Sequence, residues 1–274
     1  MENKIPIRFF VITFLWTWLI CGVAILILSQ GNSQDTVFLA PSGAGLQILM
    51  LLGIFGPTVG AFVSIRTIEG KGAVKKYIKS FFSLKFGWKA WSAIFLISGI
   101  TSFISWFLPE LFGEERVSPY LPSISFFPIY LLFSILLGGG QEEIGYKCYI
   151  SPIIEKKYGI ISGEIIHGII WAVWHIPLWF IPGAAQNYMN FFVFMICCIG
   201  YSFFFSWVIE LSGNRLLSGL VVHGTANAFS ALFPTIITDP DANQLRFLIY
   251  SVLIFIIGFV IVLLRAYKGR KICT

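Results

Sequence analysis

Residues 126–147 read FFPIYLLFSILLGGGQEEIGYK, and this stretch decides how the chain is organised. The run FFPIYLLFSILL is typical of a membrane-spanning helix. Three glycines and two adjacent glutamates follow it before such a helix would have crossed about 30 Å of hydrocarbon. Ionisable side chains at membrane depth are costly and by default indicate a functional site. We therefore expect Glu142 and Glu143 to lie at the functional centre of a membrane protein.

The composition of the whole chain is that of a polytopic membrane protein. Of its 274 residues, 57% are hydrophobic and 12% are charged, against about a quarter charged in a typical soluble domain. Several apolar stretches approach or exceed the roughly 20 residues that a transmembrane helix needs. They cover about 8–29, 45–66, 88–109, 124–147, 160–182, 189–210, 215–235 and 246–266. We expect an all-α bundle of about eight transmembrane helices, with residues 1–274 forming one membrane domain.

The basic residues indicate how this bundle lies across the membrane. If the N-terminus is cytoplasmic, 17 of the 19 Lys and Arg residues fall in cytoplasmic segments, and only Arg116 and Arg246 fall outside. Cytoplasmic loops of membrane proteins carry such an excess of positive charge. We therefore expect both termini in the cytoplasm, a location in the plasma membrane, and an active-site cavity that is open to the cytoplasmic side. The net charge of +6 needs no nucleic-acid partner.

The most basic segment, residues 71–91, reads KGAVKKYIKSFFSLKFGWKAW and alternates lysines with Phe and Trp. Such a pattern suits an amphipathic segment that lies on anionic lipid. A signal for orientation alone would give the same pattern, so both interpretations stay open. Membrane lipids are expected partners in either case.

The five cysteines have neither the CxxC spacing of a redox motif nor the spacing of a zinc finger. Most lie in apolar runs, where a free thiol behaves as a small hydrophobic group. Cys273 is too close to the C-terminus to form a prenylation box, which needs a cysteine four residues from the end. We interpret the cysteines as small buried residues.

Few side chains that could take part in catalysis or ligand binding lie inside the apolar stretches. They are Glu142, Glu143, Glu164, His167, His175, Glu210, His223 and Asn227. His223 and Asn227 are four residues apart, so a helix would place them on one face. Glu143 and Lys147 have the same spacing with the acid first, which favours an ion pair within a helix. Glu142 would then point about 100° away and could face a cavity.

Two kinds of chemistry suit this set of side chains. A carboxylate and a neutral histidine can share the protons of a water molecule and make it nucleophilic. A second histidine and an asparagine can donate hydrogen bonds to an oxyanion, each worth about 3–4 kcal/mol. The set could instead hold zinc through Glu142, His175 and His223, with water in the fourth position. Asn227 is a poor zinc ligand and favours the oxyanion role, so a metal-free mechanism is preferred while zinc remains an open cofactor.

Three segments in this order resemble the signatures of a known family. They are EEIGYK at 142–147, WAVWH at 171–175 and HGTAN at 223–227. The CPBP family has the pattern E-E-x-x-x-R, then F-x-x-x-H, then H-x-x-x-N. It includes the type II CAAX prenyl endopeptidases, the bacterial Abi proteins and the lysostaphin-resistance-like proteins. The resemblance covers about residues 128–235, which we expect to form the catalytic core.

The resemblance implies a role for each matching residue. Glu142 would be the catalytic carboxylate, and His175 would be its partner in activating water. His223 and Asn227 would bind the oxyanion. The family is also called a metalloprotease family, which keeps the zinc alternative open.

Glu143 would be a structural residue paired with Lys147. Lys147 replaces the usual Arg of the family, so a bidentate contact with Glu143 would be lost. Trp171 replaces the usual Phe, and we expect this to change the shape of the cavity but not its chemistry. The remaining polar residues match no family position and are interpreted as interfacial or packing residues. These are Glu164, His167 and Glu210.

The most favoured function is therefore that of an intramembrane endopeptidase acting on a membrane-presented peptide. Its substrate could be a CAAX-type prenylated tail or a peptide precursor such as that of a bacteriocin. One alternative is an inactive relative that acts as a membrane scaffold or bacteriocin-immunity factor. A proton-coupled transporter is less favoured, because the sequence has no visible repeated halves.

Overall fold

The computed structural model describes residues 5–30 and 44–272, and all regular structure in these ranges is helical. Its α-helices are α1 (Ile7–Gln30), α2 (Ala44–Gly53), α3 (Gly56–Glu69), α4 (Ala73–Lys79), α5 (Trp88–Phe107), α6 (Phe127–Leu136), α7 (Ser151–Tyr158), α8 (Ile160–Trp174), α9 (Phe191–Leu211), α10 (Leu217–Leu232) and α11 (Leu245–Ile272). The predicted all-α membrane bundle is confirmed. Lys4 and Cys273 lie outside the described residues.

Each of the eight predicted stretches contains a helix, but not every helix is long enough to cross a membrane. In the described ranges, six helical segments pass that test of length and composition, and the pair α2 and α3, bent by 43°, would be a seventh. The helix of the stretch 215–235 is α10, which has 16 residues. At 1.5 Å per residue it is about 24 Å long. In the described ranges, six or seven segments are therefore long and apolar enough to span a membrane, against about eight expected from the sequence.

The predicted membrane span 124–147 is not a single helix. After α6 the backbone turns at Gly139, whose φ of 121° is one that residues with a side chain rarely adopt. A 3₁₀ turn (Gly140–Ile144) and a π turn (Tyr146–Ile150) follow. Between them, a Cβ atom on Gly145 would lie 2.1 Å from the carbonyl oxygen of Pro57. The glycines thus let the segment with the two glutamates pack tightly against neighbouring backbone.

One end of the bundle, which we call the loop end, is formed by the segments 113–126, 181–190 and 233–244. The backbone N–H of Tyr120 donates to the carbonyl of Ala231, near the end of α10, at 3.0 Å. The hydroxyl of Tyr120 donates to the carbonyl of Ile236 at 2.6 Å. The segments before α9 and before α11 also border one surface hollow. These contacts tie the three segments together at one end.

The opposite end, which we call the lysine-rich end, carries the segment 71–91. Its lysines are exposed, and so are Phe82 and Trp88, at 83% and 73%. The hydroxyl of Tyr77 in α4 donates to the carbonyl of Ile144 at 2.6 Å, which fixes α4 to the turn that carries the glutamates. The mixture of exposed lysines and exposed aromatic rings agrees with a segment lying at a lipid surface.

The main hydrophobic core is one cluster that runs through most helices, from Phe9 in α1 to Ile261 in α11. Such a continuous buried cluster holds the helices in fixed positions around the polar groups between them. The interpretation of the cysteines as small buried residues is confirmed for those that the structure describes. They are Cys21, Cys148, Cys197 and Cys198, all free thiols.

Candidate active site

The three sequence motifs meet at one cavity of about 240 Å³ inside the bundle. The 3₁₀ turn supplies Glu142, and α10 supplies His223 and Asn227. Trp171 lies in the last turn of α8, and His175 is the residue that follows this helix. Glu142, His175 and His223 are all buried. Ligand sites in proteins are concave and have a few convergent polar groups in a mainly apolar wall, as this cavity has. The structure therefore brings the predicted side chains together.

Glu142 and His175 face each other across a short gap. The Nε2 atom of His175 lies 3.9 Å from the Oε2 atom of Glu142, which is too long for a direct hydrogen bond but suits one bridging water molecule. The Nδ1 atom of His175 lies 2.9 Å from the carbonyl oxygen of Trp171. A carbonyl only accepts, so Nδ1 carries the proton and Nε2 of the neutral ring is a free acceptor.

Trp171 also contacts the carboxylate itself. Its indole N–H donates to the Oε2 atom of Glu142 at 2.9 Å. The expectation that Trp171 changes the shape of the cavity but not its chemistry is therefore wrong. A phenylalanine at this position could not donate this hydrogen bond. The indole fixes the carboxylate that faces His175.

His223 and Asn227 point toward the same place above Gly139. A Cβ atom on Gly139 would lie 2.7 Å from Nε2 of His223 and 2.6 Å from Nδ2 of Asn227. Asn227 donates one N–H to the carbonyl of Gly138 at 2.8 Å, so its second N–H remains for a ligand. Nδ1 of His223 lies 2.7 Å from Oε1 of Glu143. Glu143 thus orients His223 and can neutralise its charge when both ring nitrogens are protonated.

The predicted ion pair between Glu143 and Lys147 is wrong. The amino group of Lys147 forms a buried salt bridge with Glu164 and donates to Ser202 at 2.8 Å and to Ser206 at 3.0 Å. The physical reason is local backbone geometry. The i, i+4 rule holds for an α-helix, whereas Glu143 lies in a 3₁₀ turn and Lys147 in a π turn. Lys147 is also buried between helices, whereas the charge pattern predicted a cytoplasmic position for it.

Glu164 and His167 have a role that the sequence did not predict, since their positions indicated interfacial or packing residues. Both side chains are fully buried, and both take part in the polar network around Lys147. Arg265 extends this network, binding Glu164 at 3.3 Å and Glu210 at 2.6 Å. One signal was available in the sequence, since an acid and a histidine one turn apart in an apolar helix need buried partners. Glu210 remains partly exposed, as an interfacial residue would be.

The candidate zinc ligands are Glu142, His175 and His223. Among residues 5–30 and 44–272, no group of three His, Cys, Asp or Glu side chains is arranged to hold a metal ion. Nδ1 of His175 and Nδ1 of His223 are bound to protein groups, and so is one oxygen of Glu142. Both Nε2 atoms stay available, as they would also in zinc-binding histidines, whose second ring nitrogen usually donates to a carbonyl or carboxylate. The choice between zinc and metal-free activation of water therefore stays a prediction.

A second cavity of about 300 Å³ adjoins the first. The residues that line both are Gly138, Gln186, Phe194, Cys197, Tyr201 and Asn227. The second cavity also touches Tyr120 and Thr238, which are exposed at the loop end. The second cavity thus reaches the loop end. The predicted opening of the active-site cavity to the cytoplasmic side stays a prediction, because these contacts do not orient the bundle in a membrane.

Comparison with known proteins agrees with these motifs and their geometry. The family model Rce1-like, described as "Type II CAAX prenyl endopeptidase Rce1-like", matches residues 124–229, which contain all three motifs. The chain is also 25% identical over 187 residues to CAAX prenyl protease 2 of Methanococcus maripaludis. That similarity covers 66% of this chain and 65% of the relative, just under two thirds of its length. With its three motifs in order around one buried cavity, the chain is similar to the type II CAAX prenyl endopeptidases over residues 124–229.

Proposed function

We propose that the protein is an intramembrane endopeptidase that hydrolyses a membrane-presented peptide with water activated by Glu142 and His175. The observation that carries this proposal is the 3.9 Å gap between Oε2 of Glu142 and Nε2 of His175. A water molecule in this gap can donate one hydrogen to each group, which leaves an oxygen lone pair to attack. The fixed tautomer of His175 makes its Nε2 an acceptor for that purpose.

The reaction would proceed in two steps that conserve the proton. The water oxygen bonds to the carbonyl carbon of the peptide, and its proton passes to the pair of Glu142 and His175. The carbonyl oxygen becomes an oxyanion that His223 and Asn227 stabilise with N–H donors above Gly139. The C–N bond then breaks, and the same proton is delivered to the leaving amine.

The substrate class follows from the family and is a proposal for this chain. The relative from M. maripaludis is named a CAAX prenyl protease. A CAAX-type prenylated tail is therefore one proposed substrate, and a peptide or bacteriocin precursor is another. Membrane lipids would present either substrate to the bundle.

The role of an inactive scaffold or immunity factor is less well supported. Its main hint was the replacement of the family's Arg by Lys147. Lys147 binds Glu164 and contacts neither Glu142 nor His175 through any hydrogen bond or salt bridge in the described residues. The replacement therefore leaves the proposed catalytic pair in place.

The proposed function can be tested by peptide mass spectrometry of membranes that contain either the wild type or Glu142→Gln. A peptide product made only by the wild type would support hydrolysis and would identify the substrate. Identical peptide profiles, with both proteins present in equal amounts, would favour the scaffold role instead.

The hydrogen bond of Trp171 should matter for catalysis. Trp171→Phe should lower kcat by about 10- to 100-fold, because a hydrogen bond to a charged group is worth about 1.5–3 kcal/mol. KM should change little, since the indole N–H faces Glu142 rather than the substrate. The matched control is Trp88→Phe, whose side chain is 73% exposed at the lysine-rich end and should leave both constants unchanged. An unchanged kcat in Trp171→Phe would show that the bond does not serve catalysis.

Removal of metal should not affect the reaction. Extended dialysis against a chelator should leave the hydrolysis rate unchanged, because the proposed activation of water uses only Glu142 and His175. The measurement is the rate before and after dialysis, together with the metal content of the protein. If the rate falls with the metal content and recovers only on addition of zinc, the metal-free mechanism is wrong.

We further propose that the lysine-rich end faces the cytoplasm, with both termini on that side of the plasma membrane. The support is the excess of positive charge at that end. A reporter fused after residue 77 should therefore read as cytoplasmic, and one inserted near residue 115 should read as external. An external reading after residue 77 and a cytoplasmic reading near residue 115 would show that the bundle has the opposite orientation.

A further inference from the structure

The short helix α4, at the lysine-rich end, presents one exposed face that mixes cations with apolar groups. Lys75, Ile78, Lys79 and Phe82 recur at positions i, i+3, i+4 and i+7, so they lie on one side of the helical turns. All of them are exposed, Ile78 at 40% and Phe82 at 83%. Lys76 is exposed beside them. We call these five residues the α4 surface.

The lysines of the α4 surface have no acidic partner in the described residues. The salt bridges found there include none of Lys75, Lys76 and Lys79. The segment 71–91 itself contains neither Asp nor Glu. A surface of anionic phospholipid complements such a face, because its headgroups attract lysines while apolar side chains enter the boundary below the headgroups.

The other face of α4 contacts the turn that carries the catalytic glutamate. The hydroxyl of Tyr77 donates to the carbonyl of Ile144 at 2.6 Å, and Ile144 ends the 3₁₀ turn that holds Glu142. Phe81, four residues after Tyr77, is buried in a small cluster with Leu220 of α10. The helix therefore lies between its exposed surface and the catalytic turn.

The helix α4 has little stability of its own. It is 7 residues long, with no side chain capping its N-terminus and no acidic residue in its first turn. Helices this short are marginal in isolation, and those two features would otherwise stabilise one. A lipid surface that binds the ordered helix therefore also favours the hydrogen bond between Tyr77 and Ile144.

We propose that the α4 surface docks on anionic phospholipid headgroups and that this docking holds the turn with Glu142 in its catalytic position through Tyr77. Tyr77 is a positioning residue, because it reaches Glu142 only through the backbone of the turn. The docking is independent of the proposed peptidase, whereas its effect on catalysis rests on that proposed function. A signal for orientation alone would need neither the exposed apolar groups nor the hydrogen bond to the turn.

A fluorescence experiment tests the docking without using activity. An environment-sensitive nitrobenzoxadiazole label is attached to Phe82→Cys in a Cys273→Ser background, in which the cysteines that the structure describes are all buried. Its emission should be about twofold stronger in vesicles of equimolar phosphatidylcholine and phosphatidylglycerol than in phosphatidylcholine alone, because the label enters the lipid boundary. The control is Ser118→Cys, exposed at the loop end, which should not respond. Equal emission at position 82 in the two kinds of vesicle would overturn the docking.

Removal of charge shows whether the α4 surface is responsible. Replacing Lys75, Lys76 and Lys79 together by Gln in the labelled protein should abolish the gain in emission. Lys156→Gln combined with Lys157→Gln removes exposed charge from the same end outside the α4 surface and should leave the gain unchanged. A gain that survives the replacements in α4, or that both variants lose equally, would overturn the assignment to the α4 surface.

Hydrogen exchange tests the coupling to the catalytic turn, again without activity. In the wild type, amides of residues 140–144 should exchange about threefold more slowly in the anionic vesicles than in the neutral ones. Tyr77→Phe, which removes only the hydroxyl, should still dock but should lose this protection. Tyr158→Phe makes the same change at a tyrosine that is 46% exposed at the same end, and it should keep the protection. Protection that persists in Tyr77→Phe would overturn the coupling through Tyr77.

The cleavage rate joins the docking to catalysis. At saturating substrate, kcat of the wild type should be about fivefold higher in the anionic vesicles than in the neutral ones, and this ratio should fall to about one in Tyr77→Phe. A general structural loss would lower kcat in both kinds of vesicle alike, and binding of the substrate to charged lipid would change KM instead. A ratio of one in the wild type would overturn the effect on catalysis. If the wild type cleaved no peptide in either kind of vesicle, the proposed function would fail, while the fluorescence and exchange results would still decide the docking and the coupling.

Discussion

Glu142→Gln should fold like the wild type and hydrolyse its peptide substrate about 10²–10⁴-fold more slowly, the range that a general base contributes. An amide has nearly the shape of a carboxylate, and its oxygen can still accept the indole N–H of Trp171. It cannot take a proton from water, so the bridging water between positions 142 and 175 loses its base. The measurement is the single-turnover rate of cleavage, together with the melting temperature of the detergent-solubilised protein.

A matched control separates this effect from a general loss of negative charge. Glu110 binds Arg116 at the loop end through a hydrogen bond of 2.8 Å and lines neither cavity. Glu110→Gln should therefore leave the cleavage rate unchanged. His175→Ala should lose nearly as much activity as Glu142→Gln, because it removes the other acceptor of the water. If Glu142→Gln keeps the wild-type rate, Glu142 is not the base.

Where the backbone is α-helical, the sequence predicted which side chains share a site. His223 and Asn227 are four residues apart in α10, and both line the active-site cavity. Trp171 and His175 have the same spacing at the end of α8 and meet in the same cavity. The rule works here because the periodicity of an α-helix fixes which residues lie on one face, whatever the neighbouring helices are.

The same rule failed in the segment with the glutamates, because its backbone is not α-helical. Gly139 has a φ of 121°, and the 3₁₀ and π turns that follow change the angle between successive side chains. Glu143 consequently meets His223 on α10, and Lys147 points toward α8 and α9. The three successive glycines could not indicate which turn they would form.

The partner of Lys147 depends on contacts between helices that are distant in sequence. Gly168 allows α8 to approach α9 closely, since a Cβ atom there would lie 2.6 Å from the Cα atom of Ile199. This approach brings Glu164 and Ser202 to one point between the helices, where they surround the lysine. Periodicity within one helix does not contain this information.

Lys147→Ala should therefore destabilise the protein by up to about 3–5 kcal/mol, the cost of leaving one partner of a buried ion pair wholly uncompensated. Both side chains of the pair with Glu164 are fully buried. After the replacement, Glu164 would keep Arg265 as a cation, but at the longer distance of 3.3 Å. The measurement is the melting temperature of the detergent-solubilised variant, together with its yield in the membrane.

Two double variants show whether Lys147 forms its stabilising ion pair with Glu164 or with Glu143. Lys147→Met combined with Glu164→Gln leaves no charge stranded between α8 and α9, so it should be more stable than Lys147→Ala. Lys147→Met combined with Glu143→Gln should show no such recovery, because Glu164 would remain without the lysine while His223 would also lose its carboxylate. Replacing a buried pair by neutral groups is often close to neutral, whereas removing one partner is not. If only the combination with Glu143→Gln recovers the melting temperature, Lys147 pairs with Glu143, as helical spacing suggested. The buried contact with Glu164 would then be unimportant for stability.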